Sequence, residues 1–177
     1  APTPFEGAKR LVYAYGLGAL VPNTVVLGAT EERDHLEDYC DMIAAFHGAQ
    51  RNVLVVRHDE ERGFGKRRRI DVWWGGLKRN GDLMLLLAYL LTRNPEWRHA
   101  RIRIMSIASN ELMKGQTERF LAQLIPEIRI DANVEMILKD EADSVVDIMH
   151  RESATADVVL LGLATPKQGD EEGYAER

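Results

Sequence analysis

The chain has 177 residues, with 23 Lys and Arg against 28 Asp and Glu and 45% apolar residues, so it is long enough for a globular domain with its own core and needs no disulfide staple. Cys40 is the single cysteine, which excludes a multi-cysteine zinc or iron–sulfur site and fits a reducing compartment. A net charge of −5 and a pI near 5.6 argue against nucleic acid as a partner.

The sequence opens Ala1-Pro-Thr-Pro without Met, which reads as a processed chain or a piece of a longer one. Phe5 to Tyr15 has helical spacing, stopped by Gly16 and Gly18. After Pro22-Asn23, Thr24 to Gly28 reads as a buried strand. Glu31 to His47 has one apolar stripe, with Thr30 placed to cap it and Gly48 just past its end. Asn52 to Arg57 is a second strand and Ile70 to Trp74 a third. Only twelve residues separate them, charged and without an apolar stripe, so they are either antiparallel neighbours or joined by an irregular excursion.

Leu83 to Leu91 is apolar on every face, which predicts a helix deep in the protein. At nine residues it falls well short of the roughly 20 that span a bilayer. Arg101 to Ile107 is a strand. Gly115 to Leu124 is a helix that Pro126 should prevent from continuing far. Val134 to Leu138, Ala142 to Met149 and Asp157 to Gly162 follow as strand, helix and strand. Six strands separated mostly by helices predict an α/β fold, a doubly wound and mainly parallel sheet with helices on both faces, and residues 1–177 are expected to form one domain.

The histidines His35, His47, His58, His99 and His150 share no ligand spacing on a helix, so no metal is implied. His58-Asp-Glu-Glu61 reads as a solvated loop or as an acid–base cluster at a strand end. Cys40, mid-helix on the inward face, is no nucleophile. Trp74 to Gly81 leads from a strand into a helix without the glycine spacing of a phosphate loop. It is expected to be a tight turn with Asp82 as helix cap, and no cofactor or catalytic residue is implied.

Charge is distributed unevenly: residues 51 to 103 carry 13 basic and 6 acidic groups, while both flanks are acidic. Lys66, Arg67, Arg68 and Arg69 concentrate that charge. The run is either solvated or an interaction surface for an acidic partner or anionic headgroups. Trp73 and Trp74 point to opposite sides of a strand. One is expected under a helix, the other open to cover by a partner.

Leu17 to Gly28, with Pro22, Asn23, Thr24 and Gly28, resembles a stretch in the cytosolic C-terminal domains of cation-chloride cotransporters. Ile70-Asp-Val-Trp-Trp74, with Asp71, Trp73 and Trp74, then Gly81, Leu83 to Leu91, Trp97 and Arg101 to Ile104 are similar to the next block of that family, in order. Asp157 to Leu161, Pro166, Gly169 to Glu172 and Tyr174 resemble a third. The resemblance implies a domain similar to universal stress proteins. It implies a non-enzymatic regulatory and dimerisation module on the cytoplasmic face of the membrane, partnered by itself and by its own transmembrane bundle, which moves chloride with sodium or potassium. Asn80-Gly81-Asp82 replaces the family's Asp-Gly-Gly, and the long phosphorylatable insertion is absent between Met136 and Asp157, as in prokaryotic members. Gly162-Leu-Ala-Thr165 lacks the second glycine of the nucleotide-binding pattern, so ATP is not implied. The alternative class is a free-standing nucleotide-sensing protein of universal stress type.

Overall fold

The computed structural model describes residues 3–15, 21–30, 33–75, 80–140 and 142–164. They fall into two compact units, one formed from the described residues up to 59 with residue 164, and one from those of 60–163.

In the first unit, α1 (Pro4–Ala14) starts at Thr3, whose hydroxyl accepts the Glu6 N–H at 3.3 Å. It packs Phe5, Ala8 and Val12 against Tyr39, Met42, Ile43 and Phe46 of α2 (Leu36–Gly48). Strands β1 (Thr24–Gly28) and β2 (Asn52–Val56) pair in parallel, Thr24 opposite Asn52. Val25, Leu27, Val53 and Val55 join the same core, as the period of two requires. Helix α2 begins later than the sequence predicts: a 3-10 turn, Arg33–His35, precedes it, and the residue at the cap position is His35, whose side chain does not cap the helix. Thr30 is therefore not its cap. Gly48 ends the helix from inside, while Gly16, Gly18 and Glu31 lie outside the described residues.

The second unit holds β3 (Arg69–Trp73), α3 (Asn80–Arg93), β4 (Arg101–Ala108), α4 (Glu111–Ile128), β5 (Ala132–Leu138), α5 (Val145–Glu152) and β6 (Val158–Leu160). The strands pair in parallel in the order β5-β4-β3-β6. The chain runs outward from β3 to β5, then crosses back to place β6 on the other side of β3. That is a doubly wound arrangement. Ile70, Val72, Trp74, Ile102 and Ile104 face α3 and α4, with Leu85, Ala88 and Leu121 closing the core. Trp73 and Met105 face α5 through Ile148. Helices thus cover both faces, as the sequence predicts.

One open alternative is resolved and two local expectations are corrected. The link from β2 to β3 is an irregular excursion, because β2 and β3 lie in different sheets and are not antiparallel neighbours. Helix α4 carries Pro126 inside and continues to Ile128; a proline two residues from the end forfeits little of the hydrogen-bond ladder. Helix α3 is not buried all round: Leu86, Tyr89 and Leu90 are exposed, while Met84, Leu85 and Ala88 are inward.

Candidate functional site

Asp71 to Trp73 end β3, an inner strand of the larger sheet, and Trp74 follows directly; all four are buried. In β3 their side chains alternate, so Asp71 and Trp73 share the face covered by α5. Parallel pairing sets Asp71 opposite Arg103 of β4. The guanidinium grips the carboxylate with two prongs, Nε to Oδ1 at 2.9 Å and Nη2 to Oδ2 at 2.8 Å, the strong fork geometry for this pair. Arg69 Nε donates to Oδ1 at 3.2 Å and Ser153 Oγ to Oδ2 at 2.8 Å. All four acceptor positions of an ionised carboxylate are therefore used. Burial pushes the Asp71 pKa up from its usual value, and the hydrogen bonds from Ser153 and Arg69 oppose that rise.

The network extends outward from there. Trp73 Nε1 donates to Ser153 Oγ at 3.0 Å, and Arg103 Nη1 pairs with Glu135 of β5 at 2.7 Å. Arg69 and Arg103 both donate to the Glu152 carbonyl at the end of α5, at 2.9 and 3.0 Å. Three strands and one helix are thereby fixed to a single carboxylate. Its polar groups bind one another, which suits alignment better than turnover.

Trp74 faces the other way. Its ring lies 6.0 Å from that of Phe120 and against Gly81, where a β-carbon would fall 2.3 Å from the indole. Gly81 is needed for that close approach. The indole N–H has no hydrogen-bond partner among the described residues. Both tryptophans are covered by the chain's own helices, so neither is open to a partner: the pleat points each toward a helix layer. Asp82 sits inside the first turn of α3 instead of capping it, and Asn80 Nδ2 donates to the Leu163 carbonyl at 2.7 Å. This tie spans the crevice where strand order reverses, the usual ligand position in such sheets. Residues 76–79 of the Trp74–Gly81 turn lie outside the described residues.

The basic run divides. Arg69 is consumed by Asp71, with a further bond to Thr155. Lys66, Arg68 and Arg69 offer their backbone N–H groups to Asp157, at 2.9, 2.7 and 3.0 Å, which turns the loop around a carboxylate at the foot of β6. Gly65, at φ +52°, permits this: a β-carbon there would fall 2.2 Å from Asp157 Oδ1. Burial works to raise the Asp157 pKa. The N–H groups of Arg68, Lys66 and Arg69, with the Arg62 charge, outweigh it and hold the carboxyl below its usual range. The Lys66 and Arg68 side chains are exposed, and Arg67 meets Glu96 at 3.4 Å. The expected interaction surface thus narrows to Lys66, Arg67 and Arg68.

In the smaller unit, Asn23 accepts the Asn52 N–H at 2.8 Å, and the Thr24 hydroxyl donates to Asn23 Oδ1 at 2.9 Å. The Gly28 carbonyl accepts from Tyr39 at 2.7 Å. Asn23, Thr24 and Gly28 therefore fix the two ends of β1, while Pro22 lies exposed just before it. Cys40 is buried, which pushes its thiol pKa up and away from nucleophilic reactivity. Pro166, Gly169 to Glu172 and Tyr174 lie outside the described residues. Sequence reasoning missed Arg103, Ser153 and Asp157. The one available signal was an arginine at an inward position of the Arg101-Ile-Arg-Ile alternation, a buried charge requiring a partner.

The model of solute carrier family 12 matches residues 61–147, the part of the chain that holds Asp71, Arg103 and Glu135, α3 and the basic run, but not Glu152 and Ser153 of the same network. A solved structure described as the cytoplasmic domain of a prokaryotic cation chloride cotransporter is similar over 97% of this chain and 64% of its own, with a TM-score of 0.70 at 19% identity. That likeness is one of fold, and the chain spans about two thirds of that domain's length. Both findings support the resemblance to the cation-chloride cotransporter cytoplasmic domain carried by Asp71, Trp73 and Trp74.

Proposed function

We propose that the chain is a non-catalytic regulatory domain at the cytoplasmic face of a cation-chloride cotransporter, acting through self-association and through contact with a membrane bundle that moves chloride with sodium or potassium. The observation that carries the reading is the family match over residues 61–147, which coincides with a unit whose distinctive polar residues serve alignment. The match favours this reading over a free-standing nucleotide sensor, as does the Asn80–Leu163 tie across the crevice.

For self-association the exposed stripe of α3 is the natural face: Leu86 is 51% and Leu90 53% exposed, with Tyr89 beside them, on a helix whose Met84, Leu85 and Ala88 are core. Light scattering of the 177-residue chain is expected to give a concentration-dependent dimer, and Leu86→Glu with Leu90→Glu a monomer. A wild-type monomer at every concentration would remove self-association from the reading. A second contact, of Lys66, Arg67 and Arg68 with anionic headgroups, is read as salt-sensitive sedimentation with anionic vesicles.

A further inference from the structure

Where the N-terminal ends of β4 and β5 meet the last turns of α3 and α4, the surface opens into a cleft of about 550 Å3, a volume in the range of small-molecule sites. It lies at the opposite end of the strands from the Asn80–Leu163 tie. Four arginines line it: Arg93 at the end of α3, Arg98 in the following turn, Arg101 at the start of β4 and Arg129 just past α4. All four are exposed, and none forms an ion pair with a described residue. Arg93 lies over the Tyr89 ring at 5.9 Å, and Arg98 Nε donates to His99 Nε2 at 3.0 Å. Asp131 is the single acidic residue in the lining.

Helix C-termini attract cations, which accounts for Arg93 and Arg129 but not for Arg98 and Arg101. Four like charges around one concavity repel each other unless an anion joins them. Arg129 also occupies a left-handed conformation, φ +55°, at the position after a helix where glycine is the ordinary residue. An arginine there keeps its place in the lining against a backbone preference. The lining is not wholly polar: Tyr89 offers a half-exposed ring, and Ile102, almost fully buried, forms part of the floor.

We infer that this cleft binds a small molecule bearing two or more phosphate groups. Guanidinium forks match phosphate oxygens in pairs, and the Tyr89 ring provides a wall for the ligand's remaining part. The inference does not depend on the regulatory reading above, since a phosphate ligand here requires only this unit. The ligand's phosphates come either from a soluble metabolite or from a lipid headgroup, and the chemistry of recognition is the same.

Titration calorimetry of the 177-residue chain with inorganic tripolyphosphate at low salt tests it, with sulfate at matched ionic strength alongside. Saturable binding tighter than about 1 mM is expected, weakened about tenfold or more by Arg101→Gln and again by Arg129→Gly, since each removes charge-assisted hydrogen bonds. Arg129→Gly should leave the urea midpoint unchanged or raised, because glycine accepts the left-handed backbone, so its loss of binding is not loss of fold. Sedimentation with phosphatidylcholine vesicles, with and without phosphatidylinositol bisphosphate, separates the sources. Bisphosphate-dependent sedimentation that both variants abolish assigns a headgroup; tripolyphosphate binding without sedimentation assigns a soluble ligand. Absence of saturable tripolyphosphate binding, or equal binding by the variants, overturns the site.

Discussion

The two faces of the four-stranded sheet are held by different physics. Toward α3 and α4, Ile70, Val72, Trp74, Ile102 and Ile104 pack with Leu85, Ala88 and Leu121, and attraction there is non-directional and scales with buried area. Toward α5, Asp71, Arg103, Ser153 and Trp73 Nε1 form a directed network in which each group meets specific partners in a fixed geometry. An apolar face tolerates a lost methylene by partial collapse. A buried ion pair tolerates nothing of the kind, because the surviving charge stays desolvated. The polar face thus sets strand register and the seat of α5, and the apolar face supplies bulk cohesion.

This contrast is broken most directly at Asp71. Replacing it with Asn leaves the Arg103 side chain, 14% exposed, with only the half-exposed Glu135 as a carboxylate partner, and a loss of about 3 to 5 kcal/mol is expected in urea unfolding. If the loss were below about 1 kcal/mol, the network would be ornamental to stability. On the opposite face Leu85→Ala should cost about 2 to 5 kcal/mol, because Leu85 is 2% exposed and its removal leaves a cavity. Leu86→Ala, one residue on, should cost under about 1 kcal/mol in the monomer, since surface changes are usually small. Equal midpoints for the two variants would contradict the orientation of α3.

Asp157 sharpens the comparison through pH. Its carboxyl is held below its usual value of 3.8, so its stabilising contribution is fully present above that value and is lost as pH falls through the lower folded-state value. Asp157→Asn is expected to cost about 1 to 3 kcal/mol at neutral pH, with one N–H acceptor replaced by a donor. The gap between wild type and variant should close in strong acid. A gap that persists unchanged there would mean that shape, and not charge, holds the loop.

The strands were legible because each is a short apolar run between turn residues, which buried parallel strands produce. Their division between two sheets was not, since periodicity reports that a face is buried and says nothing of what buries it. For α3 the failure is specific: with Leu, Met, Ala and Tyr on every side, no polar stripe marks the outward face, so Leu86 and Leu90 looked like Leu85. The Asp71 site was half legible. Its motif residues stood out by resemblance, but Arg103, Ser153 and Asp157 become partners only through cross-strand register and a helix end far along the chain. The basic run misled because four adjacent charges look alike in sequence, whereas the strand that begins at Arg69 turns one of them inward.

The seat of β6 beside β3 has a consequence for how the chain is made. The second unit's first strand is an inner strand of its sheet, and its last is the edge strand that pairs with it. Until β6 emerges, one side of β3 carries unpaired N–H and C=O groups, an exposed template for the wrong strand. The loop before β3 also waits for the same late segment, since its turn closes on Asp157, 91 residues from Lys66. Such distant closures are slow to form. The vulnerable interval in the synthesis of this unit therefore lasts until nearly its final residues, and its shortest strand ends it.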